Sequence, residues 1–280
     1  MCPNTDTVAL HGWTAVPVDV DAIFEGKPYL NEPTPVSLDD IVWPSDDPIV
    51  AKVQEYAKEK LPIETYNHSM RVFHWGRSRP HTHSSHIHPP YDSVQKGRQG
   101  TDTPKKKTAT IIACQQFPSH ASSLSPSTLA LTCLLHDIGT TPENRSATQL
   151  SFEFQGGFIA LNLIQHQLGG AQSQAEAVAE AIIRHQDQGT VGTITFLGQL
   201  IQLATVYDNM SEMPYLVHPD TRREVATKWK RNGWSRCFSK SIRAECEEKP
   251  WAHTTHLGVE KFPNGVRYNT LMEEYDSWTG

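Results

Sequence analysis

The chain has 280 residues, of which 38% are hydrophobic and 20% charged, and its net charge is −6 at pH 7. This length can bury a sizeable core, and the composition is ordinary for a globular protein. The negative charge offers no basic surface for nucleic acid, and no apolar stretch approaches the roughly 20 residues of a membrane span. We therefore expect no nucleic-acid partner and no membrane partner.

Cysteine usage and the N-terminal residues indicate the compartment. The cysteines are odd in number, scattered and without a CxxC pair: Cys2, Cys114, Cys133, Cys237 and Cys246. Such spacing is typical of reduced thiols, and not of a disulfide framework or a thiolate zinc site. The first residues lack the basic start and apolar run of a secretory signal. We expect a cytoplasmic protein, with the nucleus as the alternative compartment.

The elements predicted in chain order are helical. Residues 1–45 are rich in proline and are expected to form an extended lead-in to one helical domain over 46–280. A first helix is predicted in SDDPIVAKVQEYAKEKLP, with Ser45 or Asp46 as the N-cap and Pro62 as the end. We find no convincing strand pair and no internal repeat. The further helical segments are NHSMRVFHWG, SPSTLALTCLLHDIG, SFEFQGGFIALNLIQHQLGG, SQAEAVAEAIIRHQD, TFLGQLIQLATVYDNM, HPDTRREVATKWKRNG and SRCFSKSIRAECEEKPW.

Two of these helices have marked ends. In the HDIG segment, Ser125 is the expected N-cap, Pro126 takes the first helical position and Gly139 lies just past the end. In the AIIRHQD segment, Ser173 and Glu176 stand at capping-box spacing. The sequence therefore predicts an all-α fold.

Residues 77–109 differ from the rest of the chain. They carry seven Lys or Arg against two Asp, together with four His and four Pro, and few apolar residues. Such a segment cannot offset the entropy of ordering, so we expect disorder. Without it, VFHWG would continue into TIIACQQFP at helical spacing. Three interpretations remain open: a disordered loop, a nuclear-import or polyanion-binding patch, and residues translated from a retained intron.

Four polar residues on three predicted helices have the residue types of a metal site. His68 lies on one helix, the adjacent His136 and Asp137 end a second, and Asp208 ends a third. Imidazole and carboxylate ligands suit zinc, iron and similar ions and leave positions open for water. A lone histidine on an apolar helix is more often a hydrogen-bonded core residue, but a carboxylate there needs a partner or a metal. The four together favour a metal centre.

These residues follow the order H…HD…D of the HD-domain superfamily, which comprises all-helical metal-dependent hydrolases and their relatives. The surrounding segments resemble one branch, the fungal cyanamide hydratases. The resemblance covers roughly residues 35–275, apart from 77–109, which the family pattern lacks. The segments that carry it are NHSMRV, QQFP, LTCLLHDIGTTPEN, SFEFQGG, RHQD, YDN, RNGWSRCF and KPWAHTTHLG.

The resemblance implies an HD-type helical bundle that hydrates cyanamide to urea through a metal-bound hydroxide at a single zinc. It implies His68, His136, Asp137 and Asp208 as metal ligands, with Asp137 also a catalytic residue. A bound cation lowers the pKa of water from about 15.7 toward about 7, which is consistent with this chemistry. Iron and manganese suit the same ligands. Cyanamide is the implied partner, and a homo-oligomer the implied assembly.

His185, in AIIRHQD, is a further candidate catalytic residue. It could donate a hydrogen bond to the substrate nitrogen or shuttle a proton, and the alternative is a cation favoured at a helix C-terminus. The family motif favours the catalytic role. The HTT segment at 253–255 is expected in the pocket wall or in an oligomer contact. The residues expected to shape the substrate pocket follow the HD pair: Thr140, Thr141, Glu143 and Asn144.

Two other functional classes stay open. One is an HD-type phosphohydrolase acting on nucleotides, whose site usually needs clustered Lys or Arg to hold the anion. The segments with the candidate ligands carry only Arg71, Arg145 and Arg184, which argues against a phosphorylated substrate. The other is a non-catalytic protein, either the inactive product of a gene model that wrongly retains an intron or a binding module that has lost its metal.

Overall fold

Helices form nearly all the regular structure in the computed structural model, which describes residues 5–76 and 111–278. The predicted all-α class is confirmed. The α-helices of the described ranges are α1 (Thr5–Leu10), α2 (Val20–Phe24), α3 (Pro48–Lys60), α4 (Ile63–Gly76), α5 (Ile111–Gln116), α6 (Pro118–Ala121), α7 (Pro126–Leu135), α8 (Pro142–Ser146), α9 (Phe152–Leu161), α10 (Gln172–Arg184), α11 (Phe196–Met210), α12 (Pro219–Lys228), α13 (Trp234–Glu248), α14 (Lys261–Arg267) and α15 (Glu273–Asp276). Short 3-10 helices lie at Leu38–Asp40, Ile138–Thr140, Pro214–Leu216 and His253–Leu257, and a π-helix at Asn162–Gln167.

Two short strands pair, although the sequence predicted no strand pair. β1 (Ala15–Pro17) and β2 (Thr193–Thr195) are antiparallel, with Val16 opposite Ile194. Strands of three residues are too short for an alternating pattern to be recognised in the sequence. The pair fastens the N-terminal segment beside the start of α11.

The predicted extended lead-in, residues 1–45, contains two short helices, α1 and α2, in its described part. Asp19 caps α2 by accepting a hydrogen bond from the Asp21 N–H at 3.1 Å. Further along, the Val36 N–H donates to the Thr221 hydroxyl on α12 at 2.7 Å. Local caps and long-range hydrogen bonds thus hold this segment, and the domain boundary at residue 45 stays a prediction.

The observed helix starts agree with the sequence at α7 and differ at α3. Ser125 caps α7 as predicted, because its hydroxyl accepts from the Thr128 N–H. The N-cap of α3 is Asp47, and not Ser45 or Asp46. This choice places Pro48 at the first helical position, where its missing N–H costs nothing.

The predicted capping box of α10 does not form. The helix begins one residue before Ser173, with Ala171 as its N-cap. Glu176 therefore lies a full turn inside the helix, where it accepts a hydrogen bond of 2.6 Å from the Gln172 side chain.

Two helices, α4 and α11, run through the centre of the described part of the chain. Every residue of 65–76 in α4 and of 196–209 in α11 is buried. α4 packs against α7 and α11, and α10 packs against α7 and α9. A helix buried on all sides has no water to satisfy its polar side chains, so each of them needs a partner.

A second apolar cluster lies on α13 and α14. Trp234 and Phe238 of α13 pack with Phe262 of α14 and with Phe152 at the start of α9. The Trp234 ring is stacked on the imidazole of His68, with ring centroids 4.2 Å apart. This cluster therefore forms one wall around the polar residues of α4.

Among the described residues, no helix combines the length and the apolar character that crossing a membrane requires. The insertion predicted at 77–109 lies outside the described residues, between the end of α4 and the start of α5.

Candidate metal centre and active site

The adjacent pair His136 and Asp137 lies where α7 ends. His136 is the C-cap residue and keeps helical dihedrals, whereas Asp137 leaves the helix with φ −103° and ψ 10°. Successive residues inside a helix point about 100° apart, so two of them rarely reach the same point. The break in the helix at Asp137 is what allows the two neighbouring side chains to converge.

Three of the four predicted ligands meet at one point in the buried centre of the protein. Nε2 of His68 lies 3.1 Å from Nε2 of His136, and these two atoms lie 3.6 and 3.3 Å from Oδ2 of Asp137. Ligand atoms about 2.0–2.1 Å from a tetrahedral zinc lie roughly 3.3 Å apart. The spacing of the three atoms therefore fits one small divalent cation.

The hydrogen bonds of the two imidazoles direct their remaining nitrogens toward each other. Nδ1 of His136 donates to the Cys133 carbonyl at 2.8 Å, and Nδ1 of His68 donates to Asp208 at 2.7 Å. Each ring then presents an unprotonated Nε2, and two lone pairs face each other beside a carboxylate. Neither carboxylate oxygen of Asp137 has a hydrogen-bond partner among the described residues, although both are buried. A metal ion between the three groups would satisfy all of them.

The pKa values of the three side chains reflect their burial and their mutual charges. Burial lowers the pKa of His68 to about 4, although its hydrogen bond to Asp208 opposes the shift. Burial alone would raise the pKa of Asp137, but the nearby charge of His136, with that of His68, brings it down to about 2. Burial would likewise lower the pKa of His136, yet Asp137 raises it overall, as expected where the site demands a positive charge. Neutral imidazole and ionised carboxylate are the ligand forms.

Asp208, the fourth predicted ligand, is placed differently. Its Oδ2 faces Nδ1 of His68, on the side of the ring away from His136. Both oxygens are already occupied, since Arg71 donates to each of them and the Trp75 indole donates to Oδ1. Assignment of Asp208 as a direct ligand does not fit this geometry, in which the carboxylate orients His68.

Two buried arginines hold Asp208 in place. Arg71 of α4 and Arg231, which follows α12, lie 2.9 and 3.1 Å from its Oδ2. Burial alone would raise the pKa of Asp208, but the two guanidinium groups keep it well below its usual value. Sequence patterns did not single out Arg231 or Trp75, because their contacts with Asp208 arise only from the packing of separate parts of the chain.

His185 lies beside the candidate ligands His136 and Asp137. Its ring is edge-on to His136, with centroids 5.4 Å apart, and its Nδ1 donates to the Ile182 carbonyl at 2.7 Å. Burial lowers the pKa of His185, so the ring is neutral near pH 7 and its Nε2 is a proton acceptor.

A cavity of about 10 Å³ lies against His136, Asp137 and His185. This is about the volume that one water molecule occupies by this measure. The cavity wall also includes residues that the sequence did not indicate: Thr205, Asn209, Phe238 and Phe262. α11 and the apolar cluster of α13 and α14 supply them. Asn209 and Phe238 lie in YDN and RNGWSRCF, two of the segments that carry the family resemblance.

Three of the four predicted pocket residues brace the turn, and none of the four lines this cavity. The Thr140 hydroxyl donates to the Asp137 carbonyl at 2.7 Å, and Thr141 caps α8 by accepting from the Asn144 N–H. The Asn144 side chain donates to the Ile138 carbonyl at 2.7 Å. Glu143 is exposed in the first turn of α8. The polar groups of Thr140, Thr141 and Asn144 thus stabilise the backbone of the turn.

The HTT segment at 253–255 joins a buried acidic cluster. The Thr254 hydroxyl lies 3.2 Å from Glu153 and 3.3 Å from Glu245, and both carboxylates are buried. Burial, and then the charge of Glu153, raise the pKa of Glu245 to about 7. Hydrogen bonds to Asp187 and Glu153 raise the pKa of His253 to about 9. This segment is therefore packed next to the cavity wall and does not line it.

The chain is similar to curated proteins from yeast along almost its whole length. No family model matches it. Cyanamide hydratase DDI2 and cyanamide hydratase DDI3 of Saccharomyces cerevisiae are each 35% identical to it over 261 residues, which is 93% of this chain and 97% of each relative. With this identity over nearly the full length of both chains, the protein belongs to the cyanamide hydratase family.

Proposed function

We propose that this protein hydrates cyanamide to urea, with a divalent cation held by His68, His136 and Asp137. The observation that carries the proposal is the buried group of three converging ligand atoms next to a cavity of about 10 Å³, with the Asp137 carboxylate lacking any hydrogen-bond partner among the described residues. The two yeast relatives are named cyanamide hydratases, which supplies the substrate. The position of His68 within α4, facing the His136–Asp137 pair at the end of α7, supports an HD-type site.

The ligand set suits zinc, and iron or manganese as well. Such a cation supplies acidity, because it lowers the pKa of a coordinated water from about 15.7 toward about 7. The chain holds the candidate ligands in the geometry that binds the cation. Asp208 fixes the tautomer of His68, and the Cys133 carbonyl fixes that of His136, so that both Nε2 lone pairs are directed to one point.

His185 is proposed as the proton shuttle. The Ile182 carbonyl holds its Nδ1–H, so Nε2 first accepts a proton from the attacking water. A bond then forms between the water oxygen and the cyanamide carbon, and Nε2 returns the proton to the former nitrile nitrogen. The product tautomerises to urea, and the histidine ends in its starting form. Direct hydrogen-bond donation from the neutral ring to the substrate is not available in this tautomer.

The size and charge of the site favour a small neutral substrate over a nucleotide. A nucleotide is many times larger than the cavity at His136 and Asp137. The three arginines of the ligand segments are also occupied: Arg71 by Asp208, Arg145 by Glu248 and Arg184 by Asp187. None of the three is left to bind a phosphate.

The test is urea formation from cyanamide by the purified full-length chain, with and without a chelator. We expect urea formation that the chelator abolishes and added zinc restores, with nucleotides and simple phosphate esters not hydrolysed.

A second protein without residues 77–109 separates the interpretations of that segment. Activity only in the shortened form would support a retained intron, and activity in both would support a tolerated loop. A metal-containing protein that makes no urea in either form would overturn the proposal.

A further inference from the structure

A second, larger cavity lies next to the site. It has a volume of about 280 Å³ and shares two wall residues, Gln188 and Val206, with the small cavity at His136. Val206 is buried and Gln188 is exposed. We call this larger space the antechamber. Because the two cavities share these wall residues, a molecule in the antechamber is a neighbour of the reacting centre.

The antechamber contains a buried side chain whose hydrogen bonds are missing. Gln199 of α11 is 1% exposed and lines the cavity. Neither its Oε1 nor its Nε2 has a hydrogen-bond partner among the described residues. A buried amide without partners costs about 1–3 kcal/mol, so a residue of this kind calls for an explanation.

The position of Gln199 connects it with the metal centre. One face of α11 lines the antechamber with residues at helical intervals, namely Gln199, Leu203 and Val206. Along the helix axis, Gln199 lies about 10 Å from Val206. One turn further, Met210 lines the small cavity. One face of a single helix thus runs from the unpartnered amide to the reacting centre.

The charges around the antechamber select the ligand class. Asp19, Asp21 and Glu212 line it, and the latter two are exposed at the solvent side. The described wall includes no Lys, Arg or His. Carboxylates repel anions and accept N–H donors, so the cavity favours neutral molecules rich in N–H groups.

A carboxamide edge fits Gln199 best. Its Oε1 accepts and its Nε2 donates, so a planar molecule with C=O and NH₂ side by side can form two hydrogen bonds at once. Urea has this edge. Cyanamide is linear, with its NH₂ and its nitrile nitrogen at opposite ends, and reaches only one of the two atoms at a time.

We propose that the antechamber is a binding site for a small neutral carboxamide, with urea as its ligand, held at Gln199. The identification of urea as the chain's own product rests on the proposed function. The site would then make the protein sensitive to its product, because urea held beside Gln188 and Val206 lies on the approach to the small cavity.

The test follows the side-chain amide NMR signal of Gln199 in the zinc-loaded full chain, assigned by its loss in Gln199→Met. Urea is added well below concentrations that unfold the protein, with acetamide and acetate as further probes. We expect a saturable shift with urea and acetamide and none with acetate. In assays of cyanamide hydration, the inhibition constant of urea should rise at least fivefold in Gln199→Met.

Gln174→Met is the matched control, since Gln174 is also buried but donates to Thr128 and does not line the antechamber. It should lose stability and keep the urea inhibition. Gln199→Met should gain stability, because it removes an unpartnered amide, and a purely structural role for Gln199 predicts the reverse. If the protein hydrates cyanamide but its Gln199 signal does not shift with urea, the antechamber site is overturned and the proposed function stands. If the protein does not hydrate cyanamide but its Gln199 signal shifts saturably with urea, the proposed function is overturned and the antechamber site stands.

Discussion

Nδ1 of His68 donates to Oδ2 of Asp208 at 2.7 Å, at a point where both side chains are inaccessible to solvent. The same carboxylate accepts from Arg71 and from the Trp75 indole. This pair decides which nitrogen of His68 is free to bind a metal. Because a carboxylate behind a ligating imidazole fixes its tautomer and its orientation, Asp208 is a positioning residue of the site.

Asp208→Asn should weaken metal binding without abolishing it. Loss of the oriented carboxylate typically costs 10–100-fold in metal affinity. The substitution also leaves Arg71 and Arg231 without their shared counter-charge, so the free energy of unfolding should fall by about 3–5 kcal/mol. Titration of zinc against a competing chelator and guanidinium chloride denaturation measure the two effects.

Asp276→Asn is the control for that substitution. Asp276 also pairs with Arg231, at 2.8 Å, but has no contact with His68. We expect it to lower stability and to leave zinc affinity within about twofold. Complete loss of metal in Asp208→Asn, equal to the loss in a ligand variant, would instead show that Asp208 binds the metal directly.

His136→Ala and His185→Ala should differ in metal content although both lose activity. His136 supplies a ligand atom, so His136→Ala should lose most of its metal and all urea formation. His185 does not belong to the ligand group, so His185→Ala should keep its metal, while the rate falls by about 10²–10⁴-fold as expected for a lost acid–base group. Elemental analysis beside the urea assay checks both. Full activity and full metal in His136→Ala would show that the site is wrongly assigned.

Gly139→Ala should damage the turn that carries the HD pair. A Cβ at this position would overlap the Phe152 carbonyl oxygen, and because both groups belong to the backbone, neither can turn away. We expect a loss of about 1–3 kcal/mol in the free energy of unfolding, together with weaker zinc binding. Denaturation curves provide the measurement.

Gly189→Ala is the matched control, because a Cβ there meets nothing within 4 Å. It should leave stability unchanged or slightly higher, since alanine reduces the freedom of the unfolded chain. Equal stability in the two glycine variants would contradict the close approach of the turn to Phe152.

Glu245 should make stability fall as the pH rises from about 4.5 to 7. Burial beside Glu153 raises its pKa from 4.5 in the unfolded chain to about 7 in the fold. The folded state therefore holds the extra proton, and this contribution is full below pH 4.5 and lost as the pH passes 7. At about 1.4 kcal/mol per pKa unit, the loss is on the order of 3 kcal/mol.

Glu245→Gln removes this titration and keeps an oxygen to accept from the Phe152 N–H. Relative to the unsubstituted protein, it should gain stability between pH 5 and pH 8 in denaturation experiments. Glu248→Gln, at an exposed carboxylate paired with Arg145, should show no such gain. A stability difference for Glu245→Gln that is constant over this pH range would refute the raised pKa.

Several features of the site could be predicted because they depend on residues close together in the chain. Apolar spacing predicted α7, α10 and α11, and Ser125 before Pro126 marked the start of α7 correctly. His136 and Asp137 are neighbours, and the helix end at Leu135 brings them to one point. Errors occurred where local patterns compete, as at Asp47, which caps α3 in place of the two residues before it.

The sequence by itself predicted the all-helical class and carried the family resemblance. It also singled out His68, His136 and Asp137 as candidate metal ligands, because residue type and spacing along the chain carry this information. Only the tertiary structure decided that Asp208 orients His68, because its role depends on Arg71 and Arg231 from distant parts of the chain. The same holds for the cavity walls, where packing of α11 against α13 and α14 sets the available space. Contacts between residues far apart in the chain leave no periodic pattern, so packing alone assigns them.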